Sequence, residues 1–377
     1  MITKYIFLWN EINECLFLSK LNLRMKKLKV FEAFCGYGGA HFGLKKSGVN
    51  FEINGYSEVD KFAIELYDLN FPNSKNYGDI TKLSVEDIED FDLFCGGFPC
   101  QPFSSAGLGL GELDIRGTLF YDIVRIVEHK KPKYILLENV KGLNTKRHKP
   151  TLDKIISELK NIGYKVYYDV LNTKNYGIPQ NRERLWIFAT FDKNFDENFV
   201  LSPNKIELKK RIKDFLDKEI EPSLYLTKKQ IDRLIEIHKV DFNVDEPLCF
   251  DVYNKKVKKD GVCITITEPH HNSLRIVEPP IKGEYRVRKA SVSEQYRLMG
   301  FDDNEVDFGS LSYSQLSKRC GNGWDVSLVS LIFRKIFKNS PLSFNALIFL
   351  ENWSKSNLWT GLGSIIIIEE HLYILNI

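Results

Sequence analysis

The stretch LKVFEAFCGYGGAHFGLKKSG, residues 28–48, decides the fold. Its first seven residues, LKVFEAF, are rich in β-branched and aromatic side chains and short enough for a buried strand. FCGYGG at 34–39 then breaks the run with glycines, which let a backbone turn tightly and approach a ligand closely, and a helical pattern follows over about 40–48. Strand, glycine turn and helix in that order open a βαβ unit.

Moving outward, further strands are predicted at FEINGYS (51–57), FDLFCG (91–96), KYILLEN (133–139), KVYYDVL (165–171) and RLWIFAT (184–190). Helical patterns intervene near 60–69, 118–130 and 151–161; in the second of these Leu119, Ile123, Ile126 and Val127 form one apolar stripe. Parallel strands joined by crossover helices are expected, giving a doubly wound, Rossmann-like α/β sheet over 28–190. From 191 to 287 the chain turns lysine-rich and irregular, with KKRIKDFLDKE at 209–219 and KKVKKDG at 255–261, which suits a smaller inserted domain. Residues 288–338 return to the first pattern. An N-terminal extension (1–27) and a loosely packed or disordered tail (339–377) flank the whole.

The composition, 43% hydrophobic and 27% charged over 377 residues, is that of a soluble globular protein with more than one core. A net charge of +3 permits a polyanionic partner without requiring one. The seven cysteines are scattered and without paired CxxC spacing, which argues against a disulfide framework or a zinc module and fits a reducing cytoplasm. No apolar run approaches the roughly 20 residues of a membrane span, and the N-terminus lacks the pattern of a cleaved signal.

Several residues carry chemistry. Glu58, about 20 residues beyond the glycine turn, sits at a strand end where a carboxylate accepts hydrogen bonds from ribose hydroxyls, so an adenosine-containing cofactor is indicated. The pattern FxGxGG, in place of the GxGxxG that seats a pyrophosphate, favours a ligand without phosphates, although nicotinamide dinucleotides and S-adenosylmethionine both remain open here. Asp79 in YGDI can accept from an adenine amino group or cap a helix starting at Thr81. GGFPCQPFSSAG at 96–107 places Cys100 on a rigid loop at the carboxyl edge of the sheet, flanked by Pro99, Gln101 and Pro102. A thiolate there can add to C6 of cytosine and make C5 nucleophilic towards a methyl sulfonium. Glu138, ending KYILLEN at the same edge, can stabilise the charge that moves onto N3, provided that burial raises its pKa. In QNRER (180–184), Arg182 and Arg184 are expected on one face of a strand, with Arg182 preferred for the base and Arg184 for an ion pair. In 263–280, Thr265, Thr267, His270, His271, Asn272 and Arg275 can reach bases or phosphates, and no metal is expected at the histidine pair.

Taken together these runs resemble the DNA cytosine-5 methyltransferase family of bacterial restriction-modification type in motif, order and spacing over residues 28–337. FxGxGG is Phe34 to Gly39, the nucleophile run is Pro99-Cys100-Gln101, ENV is Glu138-Asn139-Val140 and QxRxR is Gln180, Arg182 and Arg184. RGTLF (116–120), RKASVSEQYRLMGF (288–301) and CGNGWDV (320–326) resemble its remaining blocks. The resemblance implies S-adenosylmethionine as methyl donor, held by Phe34, Gly36, Gly38, Gly39, Glu58, Asp79, Pro99 and Asn322. It also implies a target-recognition domain over 191–287 and a cytosine flipped from double-stranded DNA, with Gln101 and Ser104 beside Cys100 on the DNA side. A monomer working beside a cognate restriction endonuclease is expected. Two departures stand out: Cys35 replaces the usual alanine, and Gly323-Trp324 replaces the small residue and hydrophobe that commonly follow GN.

A transfer RNA methyltransferase can share the nucleophile and ENV runs, and a non-catalytic DNA-binding relative would keep the fold while losing Cys100 or Glu138, which this chain has not done. A nicotinamide dehydrogenase has only the glycine loop in its favour. Cys100→Ser is expected to abolish methyl transfer while DNA binding persists; turnover like that of the parent enzyme in this variant would refute the covalent route.

Overall fold

Strand β1 (Leu28–Ala33) is buried at every position but Lys29, because it lies inside the sheet with a parallel neighbour on each side. The computed structural model describes residues 27–99 and 119–337, together with the backbone of 363–368 and 371–376. Cys100, Gln101, Ser104, most of the N-terminal extension and most of the tail lie outside the described residues.

From β1 the chain enters α1 (Gly39–Ser47), β2 (Phe51–Ser57), α2 (Lys61–Asn70) and β3 (Leu93–Gly97). It continues through α3 (Leu119–Lys130), β4 (Tyr134–Val140), α4 (Lys149–Ile162), β5 (Lys165–Asn172), the short β6 (Gln180–Asn181) and β7 (Glu183–Thr190). Six strands form one sheet in the order β2-β1-β3-β4-β7-β5. Side chains alternate across it with the period of a strand. Phe31, Phe94, Ile135, Leu137 and Ile187 pack with Ile123, Val127, Leu152 and Ile155 of α3 and α4. Val30, Leu93, Leu136, Trp186 and Phe188 face the other way, with Leu44 of α1 and Val329, Ile332 and Phe333 of α8 (Val326–Ile336). The result is a helix-sheet-helix sandwich, as the alternating pattern predicted.

One expectation needs correction. The strands are not all parallel: β7 runs antiparallel to both β4 and β5. It enters the sheet from the edge where the parallel strands end, so its first residues lie beside the last residues of β4. Within the tail, Gly363–Ile368 (β13) and His371–Asn376 (β14), both rich in strand-forming residues, pair as an antiparallel hairpin.

The inserted region forms α5 (Lys228–His238) and an antiparallel sheet in the order β12-β11-β8-β9, from β8 (Leu248–Asp251), β9 (Lys256–Lys258), β11 (Leu274–Ile281) and β12 (Glu284–Arg288). Its own small core gathers Ile231, Phe242, Phe250, Val277 and Val287. A further strand, β10 (Cys263–Ile264), leaves this unit to pair in parallel with β6. The chain then returns through α6 (Val292–Arg297), α7 (Tyr313–Asn322) and α8, which packs on α1 so closely that a Cβ on Gly43 would strike Val329. Among the described residues no helix is long and apolar enough to cross a membrane.

The junction between insertion and return is held by charge. Arg288 is fully buried; its Nε donates to Glu278 of β11 at 2.6 Å and its two terminal nitrogens to both oxygens of Glu294 of α6 at 2.8 and 2.9 Å. Glu294 also accepts from the backbone N–H groups of Asp217 and Ser291, so its charge is spread over several donors. Arg288→Ala leaves the buried Glu294 without its cation and Glu278 with only Arg286, at 2.8 Å, and is expected to cost about 3–5 kcal/mol of stability, measured by denaturant unfolding. A loss under about 1 kcal/mol would show that water enters and solvates the pair.

Candidate active site

β3 and β4 run side by side in parallel, with Gly97 level with Glu138. This register puts the ENV run next to the GGFP segment that leads to Cys100. Asn139 ties the two: its Nδ2 donates to the Phe98 carbonyl at 3.0 Å, and its Oδ1 accepts from the Val140 N–H at 2.8 Å. Phe98 is buried whereas Pro99 is exposed, so the chain emerges from the core immediately before the expected nucleophile. Sequence shows Asn139 within ENV without revealing its task; the structure makes it the clasp on the Phe98 carbonyl, just beyond the end of β3.

Glu138 is 9% exposed and its Oε1 receives the Arg184 Nε at 2.9 Å. The contact follows from the reversed strand: Arg184 is the register partner of Val140, at the start of β7 and the end of β4. Burial pushes the Glu138 carboxyl above its usual range, with Arg184 and then Arg182 pulling it back. Burial likewise lowers the Arg184 guanidinium to about 10, assisted by repulsion from Arg182 and opposed by Glu138. Both shifts report the same desolvated pocket.

Arg182 does not share this face. It falls in the break between β6 and β7, is 2% exposed, and donates to the backbone carbonyls of Ile266 (3.0 Å), Gly321 (3.3 Å) and Gly323 (2.6 Å). The expectation that it contacts the base is corrected: its guanidinium is consumed in joining the insertion to the C-terminal end of α7, and Arg184 is the arginine beside Glu138. The two-residue spacing misled because the strand is interrupted between them. Gln180 is a second buried tie, accepting from Ile266 N–H at 2.9 Å and donating to the Leu298 carbonyl at 2.7 Å.

At the other side of the sheet edge, Phe34 and Gly36 adopt positive φ of 54° and 57°, and the Gly36 N–H donates to Glu58 Oε2 at 3.1 Å. Glu58 Oε1 accepts from Val59 and Asp60 N–H. A Cβ on Gly36 would meet open space, which is where a ligand can lie against the backbone. Gly38 and Gly39 are glycines for another reason: their Cβ positions are taken by Phe71 and Tyr67 in one case and by Trp324 in the other. Asp79 opens a turn, its Oδ1 accepting from Thr81 N (3.0 Å) and Oγ1 (2.8 Å), which hold its carboxyl below the usual range; no helix starts there until the three residues Val85–Asp87. Ser57 Oγ donates to the Gly78 carbonyl at 2.7 Å and brings that turn to the end of β2, near Glu58. Asn322 is exposed at the last position of α7.

On the inserted unit a polar cleft of about 840 Å³ is lined by Thr265, His271, Asn272 and Arg275, joined by Asn181 and by Tyr253, which is 82% exposed. Thr267 is not part of it; its hydroxyl is buried without a partner and its backbone is pressed against Gly321. Glu268, three residues before His271 in sequence, stands 3.5 Å from it, yet among the described residues no cluster of three or more metal-type side chains forms.

The family profile described as C-5 cytosine-specific DNA methylase matches residues 28–338. The chain belongs to that family. This methyltransferase is 34% identical over 316 residues to the Type II methyltransferase M.HaeII of Haemophilus aegyptius, covering 82% of this chain and 92% of that one. It is 36% identical over 312 residues to M.NgoBI of Neisseria gonorrhoeae, covering 80% and 90%. Its fold is similar to the crystal structure of S. pombe Dnmt2 methyltransferase, with a TM-score of 0.63 at 23% identity over 85% of this chain and all of that one. It is thus a DNA cytosine-5 methyltransferase, and the Rossmann-like reading of its sheet holds.

Asn139→Ala in the methyltransferase removes the clasp on Phe98 and is expected to slow methyl transfer by roughly 10- to 100-fold, the equivalent of one buried hydrogen bond with its desolvation. Single-turnover assays check it; an unchanged rate would mean that the loop is held by other contacts.

Proposed function

We propose that the methyltransferase adds the Cys100 thiolate to C6 of a cytosine flipped out of duplex DNA, transfers a methyl group to C5, and then releases the base. The observation that carries this reading is the buried Glu138–Arg184 pair, set by strand register beside Gly97, three residues before Cys100. S-adenosylmethionine supplies an electrophilic methyl group when bound. The opening over Gly36, the Glu58 carboxylate at the end of β2, and Phe34, Pro99 and Asn322 suit its adenosine and amino-acid parts, and Asp79 suits the adenine amine.

Glu138 in its protonated form donates to ring N3 and so neutralises the charge that thiolate addition pushes onto that atom. Arg184 lies where it can approach the cytosine carbonyl while balancing Glu138. The thioether of the spent donor is the leaving group of the transfer; water then takes the C5 proton, and the electron pair of that C–H bond expels the Cys100 thiolate and restores the C5–C6 double bond. A burial-raised carboxyl pKa serves this role, since an acid must keep its proton to give it. The cleft on the inserted unit, with Thr265, His271, Asn272 and Arg275, faces the DNA and selects the sequence, assisted by Gln101 and Ser104 beside the nucleophile. The enzyme acts as a monomer in a reducing cytoplasm, in keeping with five buried unpaired cysteines among the described residues, and protects DNA from a cognate endonuclease, as the Type II names of its relatives suggest.

Labelled S-adenosylmethionine offered with duplex DNA or transfer RNA is expected to mark the DNA, and bisulfite sequencing of the product to place the label on cytosine at one short sequence. Label in RNA alone overturns the reading. The pH profile tests Glu138 separately. Because its protonated form is the active one, the rate falls as pH rises through its pKa; Arg184→Met removes the nearest opposing charge, so the high-pH limb is expected to move upward even as the maximal rate drops. A limb that stays put would remove Glu138 as the proton donor.

A further inference from the structure

Trp324 is where this chain departs from the family pattern after GN, and the ring is placed at a junction. Its side chain is 7% exposed and lies edge-on to Trp186 of β7, with ring centroids 4.9 Å apart at 74°. A Cβ on Gly39, in the cofactor loop, would come within 2.9 Å of Trp324 Cβ. A Cβ on Gly97, at the end of β3, would come within 2.8 Å of the indole Nε1, and that same point is 3.6 Å from Glu138 Oε2. The backbone around the ring is pinned as well: the Tyr37 hydroxyl donates to the Trp324 carbonyl, and Arg182 donates to the carbonyl of Gly323.

One rigid ring therefore touches the glycine loop, the strand that ends in the nucleophile loop, and the strand that carries Arg184. Each of the two loop contacts is made at a glycine, which is the only residue that leaves room for the indole there. We infer that Trp324 is a positioning residue which fixes the nucleophile loop relative to the methyl-donor loop, acting through Gly97 and Gly39 rather than by touching substrate. Its effect falls on the alignment of Cys100, Glu138 and the donor, so it governs the rate of the chemical step more than the occupancy of the cofactor site. Misplacement by about 1 Å at a reacting centre costs on the order of 100-fold in rate. The inference rests on the proposal that Cys100 and S-adenosylmethionine carry out the reaction.

The test is a double-mutant cycle on the full chain, reading the single-turnover rate on duplex DNA and the S-adenosylmethionine dissociation constant for the parent, Trp324→Val, Gly97→Ala and the double variant. Each single change is expected to lower the rate by about 30-fold or more while shifting the dissociation constant less than about threefold. Gly97→Ala is expected to cost at least about tenfold less in the Trp324→Val background, because the methyl group then has no indole to strike. Independent, multiplicative losses, a loss carried wholly by cofactor binding, or a Trp324→Val enzyme as fast as the parent would each overturn the inference. If Trp324→Val does not fold, judged by circular dichroism, the same cycle is run with Trp324→Phe, which keeps a ring but removes the Nε1 corner. A parent enzyme that transfers no methyl group to DNA would instead defeat the underlying functional proposal.

Discussion

A carboxylate and a guanidinium 2.9 Å apart in a nearly dry pocket are the constraint around which the methyltransferase is arranged. Neither group can be buried alone, since the penalty for an isolated ion in the interior runs to several kcal/mol. They can be buried together only where two strands bring their polar ends to one place, and the reversal of β7 does this. In an all-parallel sheet the start of β7 would lie at the opposite edge, and Arg184 would sit a strand's length away from Glu138.

That pairing leaves a site in tension. Desolvation drives Glu138 towards its protonated form while Arg184 favours the carboxylate, and desolvation is the larger effect. Arg182 adds to the field without entering the pocket, and its three carbonyl partners carry structure from the insertion and the C-terminal end of α7. The chemistry is thus embedded in a framework of buried polar ties, among them Asn139 to Phe98 and Gln180 to Leu298.

Much of this was legible in the chain itself. The six strands and four helices read from periodicity between 28 and 190 appear within a few residues of their expected places, because runs such as KYILLEN are buried on both faces and leave little alternative. Strand direction was not legible: LWIFAT has the same pattern whichever way it runs. Spacing also failed at Arg182, where a one-residue break between β6 and β7 changes which way the side chain points. Thr267 offers a hydroxyl that could reach DNA, and only the fold shows that this hydroxyl is buried and that its backbone lies against Gly321, over fifty residues away in sequence. The clasp by Asn139 was hidden for a similar reason, since its partner is a backbone carbonyl that no side-chain motif can announce.

The contact of α8 with α1 has a temporal meaning. Residues 326–336 cover a helix made from residues 39–47, and the turn that Arg182 grips is synthesised only after the whole insertion. Closure of so long a loop is late and entropically demanding. A nascent chain therefore exposes the face of α1 that α8 covers and leaves Arg182 without two of its three acceptors until residues 321–336 have been made, so this layer of helices closes over the sheet only after the insertion.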